Sequence, residues 1–224
     1  MKLLAIDCSA NLCAACVYDT ATGQIAGRHV LDLGKGHAEH LLAVIDKALA
    51  EAGIPFADLA SIAISTGPGS FTGIRVGVST ARGLALALKI PAIGVTTLEA
   101  LAAEAASAFP GRSVLAVLDG GRGEIHAALF GADGGMRHGP AIATMEEASA
   151  MARENAAVLA GTAAEVVAAA AGGGFDFGPL VATADIATYA RLAAAKGPGE
   201  KPRPVYLRDA DAKPQAGFVL PRAG

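Results

Sequence analysis

Apolar residues in the first half of the chain form short continuous runs in some segments and recur at helical spacing in others. Runs bounded by polar and glycine positions predict strands, whereas apolar residues three or four positions apart predict amphipathic helices. The runs predict a hairpin at residues 3–19 and strands at residues 23–33, 59–66 and 90–95. The helical spacing predicts helices at residues 37–53 and 72–89. The order β-β-β-α-β-α-β is typical of an α/β fold with a mixed sheet.

A weak repeat links the two halves. Residues 3–19 align without a gap with residues 115–131, and Asp7 falls on Asp119. Both segments read as an apolar strand ending in aspartate, a polar turn and a second apolar strand. A matched hairpin opening each half predicts two related lobes. The later sequence is rich in alanine and glycine, and it predicts a strand at residues 156–161 and helices at residues 99–109, 162–171 and 186–197.

These elements predict three parts of the chain. They are an N-terminal lobe at residues 1–98, a degenerate C-terminal lobe at residues 99–195 and a Pro/Gly-rich tail at residues 196–224. The tail carries six basic and three acidic residues, although the whole chain of 224 residues has a net charge of −3. The acidic balance argues against a broad nucleic-acid surface. The tail remains open to two interpretations: a solvated terminus, or a contact with RNA or a partner.

The composition favours a cytoplasmic protein with a large core. Hydrophobic residues make up 53% of the chain. No run of about 18 uncharged apolar residues predicts a membrane span. Asp7 interrupts the first apolar stretch too early for a secretory signal peptide. Cys8, Cys13 and Cys16 are odd in number and lie near a predicted strand, so we expect small buried side chains rather than a disulfide framework or metal site.

The stretch GPGSFTGIR, at residues 67–75, turns a predicted strand into a predicted helix. It lacks the lysine of a Walker A loop, and Thr72 stands where a dinucleotide-binding loop has its third glycine. In the helix that follows, Gly73, Gly77, Ala81 and Ala85 are four positions apart and make one smooth face. A glycine inside a helix costs about 1 kcal/mol relative to alanine. The smooth face therefore predicts close approach by another backbone, either from the chain's own sheet or from another subunit.

Four stretches of the sequence resemble the TsaB (YeaZ) family. They are GPGSFTGIRVGVSTARGLA at residues 67–85, LLAIDCS at residues 3–9, HAEHLLAVID at residues 37–46 and PVYLRDADAKPQ at residues 204–215. The resemblance implies the actin/hexokinase/Hsp70-like (ASKHA) fold, with two related lobes that each carry a mixed β-sheet flanked by helices. It covers the chain nearly end to end and is thinnest at residues 132–185.

The resemblance also implies a role in tRNA modification. Members of the family are regarded as non-catalytic scaffold and dimerisation subunits that pair directly with TsaD to form threonylcarbamoyladenosine (t6A) next to the anticodon. TsaE joins the pair, and a separate TsaC-type enzyme supplies threonylcarbamoyl-adenylate. We therefore expect contact with tRNA through the complex, no membrane contact and no enzymatic activity of the chain alone.

No cofactor of its own is expected for this chain, whereas ATP or ADP and a metal are expected in the partner subunits. The catalytic relative binds a metal through two histidines four apart, and no two histidines here have that spacing. Phosphate-binding members of the fold use Asp-x-Gly-x-Thr in the first hairpin turn, and this turn keeps only its aspartate. We expect a vestigial nucleotide cleft at most, formed by Asp7, Ser9, Asp119, Gly120 and Gly121.

The expected partner interface combines the smooth face of the second helix, pointing outward, with the apolar stripe of the first. Its residues are His37, Leu41, Val44, Ile45, Leu49, Gly73, Gly77, Ala81 and Ala85. On this interpretation Gly77→Leu abolishes pairing and leaves the monomer folded, and the isolated protein self-associates through the same surface. Two alternatives stay open: an ATP-dependent small-molecule kinase of the same fold that uses Asp7 and Asp119, and an RNA-binding module that uses the basic tail.

Overall fold

Two mixed β-sheets form the framework of the protein in a computed structural model that describes residues 1–207. The first sheet has the order β3-β2-β1-β4-β5. Its strands are β1 (Lys2–Asp7), β2 (Leu12–Asp19), β3 (Gln24–Asp32), β4 (Leu59–Ser65) and β5 (Ala92–Val95). The helices α1 (His37–Ala52) and α2 (Phe71–Leu88) cover one face of this sheet, and a 3-10 turn spans Phe56–Asp58.

The second sheet has the order β8-β7-β6-β9. Its strands are β6 (Val114–Gly121), β7 (Glu124–Phe130), β8 (Met136–Ala143) and β9 (Val158–Ala160). The remaining helices are α3 (Thr97–Ala108), α4 (Met145–Glu154), α5 (Ala164–Ala170) and α6 (Ile186–Lys196). The sequence did not predict β8 or α4.

Both sheets have the same topology. In each, three strands form an antiparallel meander and the fourth pairs in parallel with the first. The predicted order of elements in the first half is confirmed, and so is the repeated hairpin, which is β1–β2 in one sheet and β6–β7 in the other. The predicted actin/hexokinase/Hsp70-like fold class is confirmed. The domain boundaries at residues 98 and 195 stay a prediction.

The helices α3 and α6 lie between the two sheets. One buried cluster contains residues from β1, β2, α3, β6 and α6, so both sheets share a single core. Two further clusters fill the space under α1 and α2 and the space under α4 and α5. Tyr189 of α6 is fully buried in the shared core and is the largest such side chain among residues 1–207.

The described part of the C-terminal tail packs on the first lobe. The Val205 amide donates to the carbonyl oxygen of Thr66 at 2.8 Å, and Lys196 Nζ donates to the carbonyl oxygen of Gly94 at 3.3 Å. The basic residues Arg208, Lys213 and Arg222, on which the RNA-binding alternative partly depends, lie outside the described residues. No helix within residues 1–207 has both the length and the apolar character that crossing a bilayer requires.

We expect Thr96→Val to lower the free energy of unfolding by about 1 kcal/mol, because it removes the N-cap of α3. Thr96 Oγ1 accepts a hydrogen bond from the Glu99 amide at 3.1 Å, and Glu99 Oε2 accepts one from the Thr96 amide at 3.4 Å. Urea denaturation measures the loss. Ser107→Ala in the same helix is the control, because its hydroxyl bonds only the Ala103 carbonyl and caps nothing. Equal losses in both variants would contradict the capping role.

Candidate functional site

The smooth face of α2 packs against the chain's own first sheet. A Cβ atom at Gly73 would overlap the carbonyl oxygen of Cys8, and one at Gly77 would lie 2.9 Å from Cδ1 of Ile64. Ala81 and Ala85 are also buried in this core. The expectation that this face points outward is therefore wrong, because the close approach that its glycines permit is made by β1 and β4. Gly77→Leu should consequently disrupt the core rather than pairing alone.

The apolar stripe of α1 is buried in the same core. Leu41, Val44, Ile45 and Leu49 are at most 4% exposed, and Nε2 of His37 lies 3.1 Å from the carbonyl oxygen of Leu12. These side chains hold α1 on the first sheet. All nine residues assigned to the partner interface are thus core residues in this structure, and an interface formed by α1 and α2 must use other positions.

The opposite faces of α1 and α2 are exposed, and we call them together the outer face. On α2 it carries Ser79, Gly83, Leu86 and Ala87, and on α1 it carries Leu42. Leu86 is 81% exposed and Leu42 is 57% exposed. A Cβ atom at Gly83 would have no neighbour within 4 Å among residues 1–207. This surface was not predicted from the sequence, although Ser79, Gly83 and Ala87 repeat the four-residue spacing of small side chains.

The glycine-rich turn covers the first hairpin. The Ser70 amide donates to the carbonyl oxygen of Ser9 at 2.7 Å, and Ser70 Oγ caps α2 by accepting from the Gly73 amide at 3.2 Å. Gly69 has a φ of +155°, and a Cβ atom there would overlap the Ser9 carbonyl oxygen. The turn therefore serves as a packing joint between β1 and α2, with glycine where the two backbones approach most closely.

A buried hydrogen-bond network surrounds Asp7. Its Oδ1 accepts from the Ser9 amide at 2.9 Å, and its Oδ2 accepts from the Thr183 hydroxyl at 2.7 Å. Thr183 Oγ1 in turn accepts from Ser9 Oγ at 3.2 Å and lies 2.7 Å from the hydroxyl of Tyr189. Burial, followed by the charge of Asp7, raises the pKa of Tyr189, so that this phenol stays protonated. Tyr189 thus acts as a donor in the network.

The residues at this turn do not fit a nucleotide. Asp7 and Ser9 are 2% and 1% exposed, and their polar atoms already have partners within the chain. The glycine-rich turn covers them from one side and Thr183 from another. A phosphate or a metal-bound water that approached Asp7 would have to displace both the glycine-rich turn and Thr183. We therefore assign no catalytic or nucleotide-binding step to Asp7.

The other predicted cleft residues lie apart from Asp7, at the solvent-accessible end of β6. Asp119 Oδ1 accepts from the Gly121 amide at 2.8 Å, and the Asp119 amide donates to Thr162 Oγ1 at 3.1 Å. An aspartate that bonds the amide two residues ahead is a common turn-forming arrangement. Gly120 and Gly121 are the last two residues of β6, where its register with β7 shifts. The structure thus joins Asp7 to Ser9, and it places Asp119 near the end of β6 in the other sheet, paired with Ile125 of β7.

The three cysteines are buried, free thiols, as the sequence predicts. The hydrogen bond with Cys13 and burial raise the pKa of Cys8, and burial raises the pKa of Cys16 to about 12. Cys8 and Cys16 are therefore poor nucleophiles at neutral pH, whereas the same hydrogen bond lowers the pKa of Cys13. Within residues 1–207, no three His, Cys, Asp or Glu side chains are grouped to hold a metal ion.

Comparison with known proteins agrees with this architecture. The family model described as "TsaD: tRNA N6-adenosine threonylcarbamoyltransferase" matches residues 31–185. The tRNA threonylcarbamoyladenosine biosynthesis protein TsaB of Escherichia coli (strain K12) is 34% identical over 140 residues, which cover 62% of this chain and 59% of that protein. The chain thus spans about three-fifths of the length of this relative.

Other similarities extend over nearly the whole chain. Uncharacterized protein Rv3421c of Mycobacterium tuberculosis (strain ATCC 25618 / H37Rv) is 31% identical over 224 residues, which cover 96% of this chain and 95% of that protein. The structure of YeaZ from Pseudomonas aeruginosa superposes with a TM-score of 0.69 at 28% identity, covering 92% of this chain and 99% of that one. From the fold, the glycine-rich joint and these similarities, we conclude that the chain belongs to the TsaB (YeaZ) family.

Proposed function

We propose that this protein is a non-catalytic subunit that pairs with TsaD in the formation of threonylcarbamoyladenosine next to the anticodon of tRNA. Membership of the TsaB family supports the pathway. The buried network at Asp7 supports a role without chemistry in this chain, because the aspartate that serves phosphate in related folds is engaged by Ser9 and Thr183. The main structural support for pairing with TsaD is the exposed outer face of α1 and α2.

The outer face has features that the isolated chain does not explain. Gly83 lies inside α2, where glycine costs about 1 kcal/mol relative to alanine, and no atom of residues 1–207 lies within 4 Å of where its Cβ would be. Leu42 and Leu86 expose large apolar side chains on the same surface. A partner helix that crosses α2 at Gly83 would use the absence of a Cβ atom and remove Leu86, three residues along the same helix, from water. Each buried Å² of apolar surface contributes roughly 25 cal/mol.

The remaining components follow from this assignment. TsaE joins the pair formed with TsaD, a TsaC-type enzyme supplies the adenylate, and tRNA is bound through the complex. ATP or ADP and the metal belong to those partner subunits, and this chain contributes no cofactor site. When TsaD is absent, the outer face is available for self-association, because an exposed apolar surface favours association.

We expect Gly83→Leu to weaken pairing with TsaD by at least about tenfold, because the added side chain occupies the point of helix crossing. The variant should remain folded, since a Cβ at this position has open space and leucine is a better helix former than glycine. Co-purification with TsaD from the same organism, followed by light scattering and calorimetry, measures the stoichiometry and the dissociation constant. Thermal unfolding of the isolated variant checks its fold.

The matched control is Ala169→Leu, which adds an exposed leucine to α5 on the other lobe. We expect it to pair as the wild type does. Equal affinity of Gly83→Leu and wild type would refute the outer face as the interface. If the wild-type protein forms no complex with TsaD, the proposed function itself fails.

A further inference from the structure

A cavity of about 570 Å³ opens where α2 ends, and we call it the end pocket. The last turns of α2, the residues that lead into β5 and the segment at residues 199–202 line it. Its apolar surface comes from Leu86, Ile90 and Pro202, among others. Leu86 also belongs to the outer face, so the two surfaces are continuous. A partner bound to the outer face would reach the end pocket.

The charged groups of the end pocket are all cationic. Arg82, Lys89 and Lys201 line it together with neutral residues, and the part of the lining that residues 1–207 supply contains no acidic and no aromatic side chain. None of the three cations forms an ion pair with any residue in 1–207. The combination of an apolar surface with unpaired cations is complementary to a ligand that is both aliphatic and anionic.

Lys89 occupies a backbone conformation that lysine rarely adopts. It follows the last residue of α2 with φ 57° and ψ 38°, in the left-handed region. This conformation costs a residue other than glycine roughly 1–2 kcal/mol, and glycine is the usual residue at this place after a helix. A lysine here lowers the stability of the chain and supplies a cation to the end pocket. Lys89 also closes α2, since its amide donates to the last carbonyl oxygens of the helix, and its position beside the cavity makes it a candidate ligand-binding residue.

We propose that the end pocket binds an acidic segment of the TsaD partner, with an aliphatic side chain against Leu86 and carboxylates against Lys89, Arg82 and Lys201. This inference rests on the proposed function. Charge-assisted hydrogen bonds to ammonium and guanidinium groups would fix the segment, and burial of the aliphatic side chain would anchor it. The pocket thereby adds an electrostatic contact at one end of an otherwise apolar interface.

Two other possible occupants of the end pocket, RNA and the chain's own C-terminal segment, are less complementary to the residues that line it. A single-stranded RNA segment would satisfy the cations, but it would find no aromatic ring on which to stack a base. The chain's own residues 208–224 carry three basic and two acidic side chains, so their net charge has the same sign as the pocket. An acidic protein segment matches both the charge and the apolar surface.

The test measures the dissociation constant of the full-length protein and TsaD at several salt concentrations. We expect Lys89→Glu to weaken pairing by about tenfold and to flatten the salt dependence, since it reverses one of three interacting charges. The control is Arg153→Glu on α4, which changes the net charge equally on an exposed helix of the other lobe. It should pair within about twofold of wild type.

A second variant separates binding from folding. Lys89→Gly removes the cation and also relieves the left-handed strain, so it should raise the midpoint of thermal unfolding while it weakens pairing. A carbodiimide, which joins lysine to carboxylates in direct contact, should link Lys89 or Lys201 to an acidic segment of TsaD in the wild-type complex. Mass spectrometry identifies that segment.

Each contrary outcome has its own meaning. Unchanged affinity of Lys89→Glu in a complex that does form overturns the end pocket and leaves the proposed function standing. A variant in which Asp209 and Asp211 are both replaced by lysine tests the chain's own C-terminal segment. If this variant loses as much affinity for TsaD as Lys89→Glu does, that segment is the occupant of the end pocket and the proposal is overturned. The proposal would also be overturned in favour of RNA if the protein alone bound tRNA, and if Lys89→Glu abolished that binding while pairing with TsaD stayed unchanged. If the wild type forms no complex at all, the proposed function and this inference fail together.

Discussion

Gly73→Ala is expected to lower the free energy of unfolding by about 2–3 kcal/mol, although alanine is the better helix former. The new Cβ would overlap the carbonyl oxygen of Cys8, a backbone atom held in the core at the end of β1. The backbone must therefore shift, and overpacking of this kind typically costs about 1–3 kcal/mol. For a chain of this length the midpoint of thermal unfolding should fall by roughly 4–10 °C.

Gly83→Ala in the same helix is the matched control for this result. Its Cβ would meet no atom within 4 Å, so only the gain in helix propensity remains, up to about 1 kcal/mol in favour of the folded state. The two substitutions are chemically identical and should change stability in opposite directions. Differential scanning calorimetry of both variants decides the matter. A stabilising effect of Gly73→Ala would contradict the packing of α2 on β1.

Tyr189→Ala should cost about 3–5 kcal/mol of unfolding free energy, the largest loss that we expect from a single truncation. The ring of Tyr189 is fully buried between the two sheets, and its hydroxyl lies 2.7 Å from Thr183 Oγ1. Removal of the ring leaves a cavity in the core that both sheets share. Urea denaturation monitored by circular dichroism measures the loss, and we expect both lobes to unfold in one transition at a lower urea concentration.

Two companion variants separate the contributions of the ring and the hydroxyl. Tyr189→Phe keeps the ring and should cost only about 1 kcal/mol, the typical net worth of one hydrogen bond. Tyr206→Ala removes a tyrosine that is 54% exposed, and its effect on stability should be small. If Tyr189→Ala is no more destabilising than Tyr206→Ala, the shared core does not hold the two sheets together.

The elements of the first lobe were predictable because each has a strong local signal. The run at residues 59–66 is apolar and bounded by polar positions, and it is β4, while the stripe at residues 37–53 is α1. In the second lobe β8 is half exposed and includes Gly139 and Pro140, so it lacks a continuous apolar run. The helix α4 does have a local signal, the capping box of Thr144 and Glu147. That motif would have identified it.

The direction of each face of α2 was not predictable from local sequence. Small residues recur every four positions at Gly73 and Gly77, and again at Ser79 and Gly83, so two faces show the same pattern. The choice between them depends on Cys8, which is distant in the chain and reaches α2 only after β1 pairs with β4. The burial of Asp7 depends likewise on Thr183, which is 176 positions away. Neither contact has a sequence motif.

The layer of α3 and α6 between the sheets has a mechanical consequence. Hinge motion around a ligand requires two bodies that separate along a boundary with few contacts. Here the space between the sheets is filled by a core to which β1, β6 and Tyr189 all belong, and separation would expose that core to water. We therefore expect the two sheets to move as one body rather than to open about a hinge, because opening would expose this shared core.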